Sequence, residues 1–156
     1  MTDHFKLLVP GATAAGKLKV TAPFDGAQIA TIETGDVSAV EAALNSAFHL
    51  YSDKQNWLTA EHRVNILEKA ADIMQSRFDE LAIEAAREGG KPLTDSKVEV
   101  ARAIDGMKNC IEVIRNEHGE EIPMSRNDAS MNSLAFTTRE PIGVVGAVIP
   151  WNFPLL

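Results

Sequence analysis

Cysteine, basic residues and aromatic residues are all scarce in this chain of 156 residues. The only cysteine is Cys110, so no internal disulfide can form and nothing calls for an oxidising compartment. Basic residues number 15 against 22 acidic ones, a net charge of −7, which argues against a nucleic-acid partner. The apolar fraction of 45% and the charged fraction of 24% are typical of a soluble globular protein and exclude a disordered one.

Long hydrophobic runs are also lacking. The N-terminus has only a short apolar patch, which is too small for a signal peptide. The apolar run at residues 141–156 is too short to span a bilayer and is interrupted by Pro141, Pro150 and Pro154. We therefore expect a cytoplasmic protein without a membrane partner.

The charge is distributed unevenly along the chain. Acidic and basic residues cancel within residues 1–35 and within residues 123–156, so the negative excess lies between Asp36 and Glu121. From Pro141 to Leu156 there is no charged residue. The ends of domains are normally polar and exposed, so we expect this sequence to be part of a larger protein, interrupted inside an apolar segment.

Short strands are predicted first and four helices follow. Turn-forming residues separate three brief apolar or β-branched stretches, at Phe5–Val9, Lys17–Thr21 and Gln28–Glu33. Apolar residues then repeat at helical spacing, and the first helix is predicted to bury Val37, Val40, Leu44, Ala47, Phe48 and Tyr51. Predicted helix starts are Asp36 (with a capping box over Ser38–Glu41), Thr59, Ser76 and Pro92. We interpret the acidic excess as the solvated faces of these helices.

Two further strands are predicted after the helices. Leu134–Arg139 alternates apolar and polar residues, which indicates a half-exposed strand. Gly143–Ile149 is continuously apolar and β-branched, which is typical of a strand buried on both faces of a parallel sheet. Parallel neighbours require crossover connections, and none follows in this sequence. We expect the remaining strands of that sheet to be absent from the chain.

Several common site chemistries lack support. The four histidines are not spaced as metal ligands, so we expect no metal site. Cys110 falls in the predicted fourth helix, where nothing would lower its thiol pKa, and we interpret it as a semi-buried packing residue. The sequence contains no GxSxG, GxxxxGK[ST] or GxGxxG motif, and Gly143 and Gly146 match none of these patterns.

Two local clusters remain candidates for function. One is the turn between two predicted helices at residues 88–92, Glu-Gly-Gly-Lys-Pro, which a helix stop followed by a proline start also explains. The other is Pro-Trp-Asn-Phe-Pro at residues 150–154, directly after the predicted buried strand. Ligands bind beyond the carboxyl ends of such strands, and a preorganised amide from Asn152 could stabilise an oxyanion. From the residues alone, a purely structural turn remains the alternative.

Together these segments closely resemble the start of the cofactor-binding sheet in the aldehyde dehydrogenase superfamily. The resemblance runs through residues 140–154 and, upstream, through Pro23-Phe-Asp-Gly26, the helix from Asp36, Trp57 before Ala60-Glu-His-Arg63, and residues 88–92. Many members carry Thr where this chain has Gly89. The resemblance implies an α/β fold, consisting of N-terminal strands, a four-helix stretch and the first strand of the cofactor-binding parallel sheet, truncated after that strand.

The resemblance also implies roles for particular residues. Asn152 matches the family asparagine whose amide stabilises the oxyanion, while Ile149, Pro150 and Trp151 match positions that line NAD or NADP. It implies three parts: residues 1–122 as the N-terminal part of the cofactor-binding domain, 123–140 as a loop and β arm for subunit association, and 141–156 as the first sheet strand and its turn. A small aldehyde is the implied substrate and a homo-oligomer the implied assembly. The nucleophilic cysteine and general-base glutamate of the family are expected beyond Leu156, so we expect this chain alone to be inactive.

Two alternatives stay open. One is a non-catalytic helical scaffold or assembly module derived from such an enzyme. The other is a reductase of the same superfamily that acts on acyl-CoA or acyl-phosphate substrates, although the Pro-Trp-Asn-Phe-Pro turn argues against it because such members commonly vary this turn.

Overall fold

A small sheet forms the N-terminal part of the chain, which we describe from a computed structural model over residues 3–150 and 152–155. Its strands are β1 (Asp3–Phe5), β2 (Gly16–Thr21) and β3 (Gln28–Thr34). The central strand β3 is parallel to β1 and antiparallel to β2. The predictions for β2 and β3 are confirmed within one residue, whereas β1 lies earlier than its predicted position.

Four helices follow, as predicted: α1 (Val37–Ser52), α2 (Ala60–Ser76), α3 (Phe78–Gly89) and α4 (Leu93–Asn116). Asp36 caps α1 by accepting a hydrogen bond from the Ala39 N–H at 3.0 Å. Thr59 caps α2 by accepting one from the His62 N–H at 3.2 Å. Side-chain oxygens therefore satisfy backbone donors that the first helical turn leaves unpaired.

Two predicted caps are wrong. Ser76 is the last residue of α2, and its hydroxyl donates to the Ile73 carbonyl instead of starting α3. Ser38 lies inside the first turn of α1 and donates to the Asp36 carboxylate at 2.6 Å, so the capping box is not formed. In both cases a nearby backbone or side-chain oxygen accepts from the serine hydroxyl, in competition with the capping role.

The core lies where α4 packs against α2 and α3. Ala71, Ala82, Val100 and Ile104 form its buried centre, and half-buried Met74, Phe78, Leu81, Met107 and Leu155 pack around it. The predicted inward stripe of α1 is not buried: Phe48 is 60% exposed, and Val37, Val40 and Leu44 are exposed as well. Burying an amphipathic helix requires an apolar surface opposite it, and the described residues place none against this stripe.

A second sheet consists of two short antiparallel strands, β4 (Glu121–Ile122) and β5 (Ala135–Phe136). The strand predicted over Leu134–Arg139 is therefore present but shorter. Gly119 lies so close to the backbone carbonyl of Thr137 that a Cβ atom there would overlap it. The close approach explains why a residue without a side chain occupies this position.

The prediction of a strand over Gly143–Ile149 is wrong for this chain. Residues 141–150 form no regular secondary structure, and Val148 is 97% exposed. A buried parallel strand gains its hydrogen bonds and its apolar cover from neighbouring strands. Residues 3–150 and 152–155 supply no strand that pairs with this segment.

Candidate functional site

The turn after residue 149 carries the asparagine singled out from the sequence. Its backbone is closed by a hydrogen bond from the Phe153 N–H to the Pro150 carbonyl at 3.3 Å, and the rings of Pro150 and Pro154 restrict φ on both sides. Asn152 is exposed, and no other described residue forms a hydrogen bond with its side-chain amide. The amide of Asn152 is thus available to a ligand. Trp151, the third predicted cofactor residue, lies outside the described residues.

Lys91 connects the two candidate clusters of the sequence, the turn at residues 88–92 and the turn at residues 150–154. Its Nζ atom donates to the backbone carbonyl of Asn152 at 3.1 Å. The same ammonium lies 5.1 Å from the centre of the Phe153 ring, within the range of a cation–π interaction. The Glu-Gly-Gly-Lys-Pro turn is therefore part of the same site as Asn152.

Glu99 completes the site from inside α4. The residue is only 1% exposed, and its carboxylate is ion-paired with the ammonium of Lys91. The other carboxylate oxygen accepts a hydrogen bond from the Leu155 N–H at 2.8 Å. A buried carboxylate is tolerated only when it is paired and hydrogen-bonded, and Glu99 meets both conditions.

Sequence reasoning missed Glu99 because it assigned every acidic residue of the helices to a solvated face. A signal was present in the sequence, since Glu99 lies next to the apolar Val100 and four residues before the apolar Ala103. In the structure Glu99 is buried together with Val100 and with Ser96, which lies one helical turn earlier. The Ser96 hydroxyl itself has no hydrogen-bond partner among the described residues. An acidic residue on the buried stripe of a helix predicts an internal cation.

Gly90 directs Lys91 towards this site. It ends α3 in the left-handed conformation, with φ of 68°, and its N–H donates to the Ala86 carbonyl at 2.8 Å. A Cβ atom at this position would stand 2.7 Å from Cγ of Pro23, in the turn that joins β2 to β3. The predicted helix stop is confirmed, and it also brings the turn that contains Pro23 close to Gly90.

The remaining predicted features are placed as follows. Ile149 and Pro150 are exposed and precede the turn along the chain. Cys110 is exposed on α4, so its interpretation as a semi-buried packing residue is wrong, because it points away from the stripe that α2 and α3 cover. Across the described ranges, no group of three or more His, Cys, Asp or Glu side chains could hold a metal ion. In the same ranges, no helix combines the length and the hydropathy that crossing a membrane requires.

A separate cleft of about 500 Å³ lies between α2 and α4 and does not include Asn152. Three of its charged side chains pair with one another: Arg115 contacts Glu68 at 2.6 Å and Glu112 at 3.1 Å. Lys91 and Glu99 are not among its lining residues. The cleft is therefore separate from the site that contains Asn152, Lys91 and Glu99.

A model of the aldehyde dehydrogenase family matches residues 10–156. The chain belongs to this family. It is 41% identical over 122 residues to the alpha-ketoglutaric semialdehyde dehydrogenase of Bacillus subtilis, a match that covers 77% of this chain and 23% of that protein. This confirms the family predicted from residues 140–154 and the upstream segments.

Solved structures of the family have the same fold. Aldehyde dehydrogenase 21 from Physcomitrella patens, in complex with the reaction product succinate, matches with a TM-score of 0.90 at 26% identity, over 99% of this chain and 32% of that one. The glyceraldehyde-3-phosphate dehydrogenase GapN from Methanocaldococcus jannaschii, complexed with NADP, matches with a TM-score of 0.79 at 33% identity, over 88% of this chain and 29% of that one. The chain thus has the fold of the N-terminal part of an aldehyde dehydrogenase, which confirms the predicted α/β class, and it spans about a third or less of these relatives.

Proposed function

We propose that this chain supplies the oxyanion-binding asparagine and part of the NAD(P) site of an enzyme that oxidises an aldehyde to a carboxylate. The observation that carries the proposal is the exposed side-chain amide of Asn152 on a turn that is anchored to α4 through Lys91 and Glu99. Family membership supports the reaction class. The proposal places the enzyme in the cytoplasm.

The chemistry expected of Asn152 is electrostatic. When a cysteine thiolate attacks an aldehyde, the carbonyl oxygen becomes an oxyanion that needs hydrogen-bond donors already in position. The amide of Asn152 offers two N–H donors. Because the turn is closed by a hydrogen bond and flanked by two prolines, the amide requires little rearrangement when the charge develops.

The neighbouring residues fit a dinucleotide cofactor. When bound, NAD or NADP supplies the acceptor for the hydride that leaves the substrate carbon. Ile149 and Pro150 would hold it through exposed apolar surface. No carboxylate is present in residues 141–155, and the buried Glu99 is neutralised by Lys91, so nothing in the described part of this segment repels a pyrophosphate.

Residues 123–140 are proposed as an arm for subunit association in a homo-oligomer. Phe136 of β5 and the neighbouring Leu134 are largely exposed, and a two-stranded sheet leaves backbone donors and acceptors unpaired at its edges. An exposed apolar strand of this kind is stabilised when a second chain covers it. A non-catalytic assembly module would use the same surface, and a measurement of dehydrogenase activity distinguishes such a module from part of an enzyme.

The test joins this chain to the remaining part of the related Bacillus subtilis enzyme and follows reduced cofactor with an aldehyde substrate. The joined protein is expected to turn over, and Asn152→Ala is expected to lower kcat by about 100- to 1000-fold, the effect of losing one oxyanion donor. Asn65→Ala, the same change at an exposed position of α2 outside the turn and outside residues 123–140, serves as the matched control and should leave kcat unchanged.

The chain of 156 residues alone is expected to show no turnover. Two results would contradict the proposal: turnover by the isolated chain that Asn152→Ala abolishes, or an active joined protein in which Asn152→Ala and Asn65→Ala behave alike. A folded joined protein without any activity would favour the assembly module.

A further inference from the structure

We propose that Lys91 and Glu99 are positioning residues that act as one clamp on residues 152–155 and thereby fix the direction of the Asn152 amide. The catalytic meaning of this clamp rests on the proposed function. Its existence, by contrast, concerns only contacts within this chain and is tested without measuring activity.

The clamp holds the turn at two points on either side of Phe153. Lys91 Nζ donates to the Asn152 carbonyl at 3.1 Å, and the Leu155 N–H donates to Glu99 at 2.8 Å. One anchor would leave the turn free to rotate about it, whereas two anchors define an orientation. The side chain of Leu155 adds a third restraint because it packs against the core between α2, α3 and α4.

The two anchors depend on each other because they share the buried carboxylate. Glu99 is 1% exposed, so if the turn undocked, the oxygen that accepts from Leu155 would lose its described partner in a nearly dry environment. Removing the ammonium of Lys91 would leave the same carboxylate without its counter-ion. Either change therefore weakens both ends of the clamp.

The anchors involve only main-chain atoms of the turn. Lys91 donates to the backbone carbonyl of Asn152, and Glu99 accepts from the backbone N–H of Leu155. Neither contact therefore occupies the side-chain amide of Asn152. A lysine ammonium has three donors, and the two contacts found here, with Glu99 and Asn152, use two of them. This arrangement holds the backbone in place and leaves the amide of Asn152 for a ligand, as a preorganised site requires.

The first experiment measures the turn directly by nuclear magnetic resonance in the chain of 156 residues. Lys91→Met keeps an unbranched apolar side chain and removes the charge. We expect it to lower the hydrogen-exchange protection of the Leu155 amide at least tenfold and to increase the mobility of the Asn152 side-chain amide. Lys91→Arg keeps the charge and should restore most of the protection.

A matched control separates positioning from loss of stability. Ile111→Val removes one methyl group from a buried residue further along α4 that is in neither the core cluster nor the clamp. It should lower the global unfolding midpoint without changing the Asn152 and Leu155 signals. If Lys91→Met does not fold, Glu99→Gln replaces it, because glutamine keeps an acceptor for the Leu155 N–H but loses the ion pair.

The proposal is overturned if Lys91→Met, or Glu99→Gln in its place, leaves the Leu155 protection and the Asn152 mobility at their original values. It is also overturned if Ile111→Val changes both signals as much. In the joined enzyme, Lys91→Met should lower kcat with little change in KM, and it should add almost nothing to Asn152→Ala. If the turn is rigid but the joined enzyme is inactive, the proposed function is refuted and the clamp is supported. If the turn is mobile but the joined enzyme is active, the clamp is refuted and the proposed function is supported.

Discussion

Gly90 faces Pro23 across a gap with no room for a side chain, since a Cβ atom on Gly90 would stand 2.7 Å from Cγ of Pro23. The two residues belong to turns that are far apart in the sequence, one between β2 and β3 and one between α3 and α4. Their contact joins the N-terminal sheet to the turn that carries Lys91.

The first prediction concerns this contact. Gly90→Ala forces a Cβ into a left-handed backbone, with φ of 68°, and against Pro23. We expect the free energy of unfolding to fall by about 1–3 kcal/mol. Gly106→Ala is the matched control, because Gly106 lies inside α4 in open space. It should raise the free energy of unfolding by about 0.5–1 kcal/mol in the same urea titration. A Gly90→Ala variant with an unchanged or raised free energy of unfolding would contradict the prediction.

The second prediction concerns the close approach of Gly119 to Thr137. A methyl group at residue 119 would overlap the Thr137 carbonyl, next to the hydrogen bond from the Thr137 N–H to the Glu120 carbonyl at 2.8 Å. Gly119→Ala should cost about 1–3 kcal/mol locally and remove the hydrogen-exchange protection of the Thr137 amide. Gly146→Ala, at a position with open space around it, should leave that amide unchanged. A protected Thr137 amide in Gly119→Ala would show that the two segments do not pack this closely.

The third prediction is a pH dependence near the N-terminus. The Leu7 N–H donates to the Glu33 carboxylate at 3.1 Å, and this bond, helped by His4, holds the pKa of Glu33 below its ordinary value despite partial desolvation. A lowered pKa in the folded state stabilises the fold above the unfolded pKa and loses that contribution as pH falls through the folded value. The hydrogen-exchange protection of the Leu7 amide, measured against an unstructured peptide at the same pH, should therefore fall below about pH 4, near the ordinary pKa of a glutamate.

Glu33→Gln provides the control for this titration. Glutamine keeps an acceptor for the Leu7 N–H but does not titrate, so the acid-induced change at Leu7 should disappear. If the protection of the Leu7 amide falls equally in both proteins as pH falls, another group is responsible and the assignment to Glu33 is wrong.

The fourth prediction concerns residues 142–149. They form no regular structure and Val148 is almost fully exposed, so their amides should exchange within about tenfold of the rate of an unstructured peptide. Amides in the middle of α4 should exchange far more slowly. Strong protection of residues 142–149 in the isolated chain would reveal a strand partner, for example a second copy, which the concentration dependence of the exchange would identify.

Sequence patterns anticipated those parts of the fold that depend on local interactions. Asp36 and Thr59 were found because a cap needs only a side-chain oxygen and the three residues after it. Gly90 was found because a left-handed helix end favours glycine. Ser76 was mistaken for a cap because its hydroxyl bonds to the preceding turn, which the residue type alone does not reveal.

Sequence patterns gave wrong predictions where the burial of a segment depends on which residues pack against it. The stripe of α1 that includes Phe48 has the periodicity of a buried face but has no apolar partner among the described residues. Gly143–Ile149 has the composition of a buried strand but no strand beside it. For the site, Asn152 and Lys91 were both noted, but their contact was not, because a distance across 61 residues is set by the packing of α4.

Glu99 and Leu155 are separated by 56 residues, which has a consequence for biosynthesis. At a translation rate of about 5–20 residues per second, the glutamate is made roughly 3–11 s before the amide it will bind. During that interval α4 can form but the Glu99 carboxylate must remain hydrated or bound to Lys91 alone. The turn that carries Asn152 is therefore synthesised after all four helices, so its docking onto Glu99 has to follow the synthesis of α4.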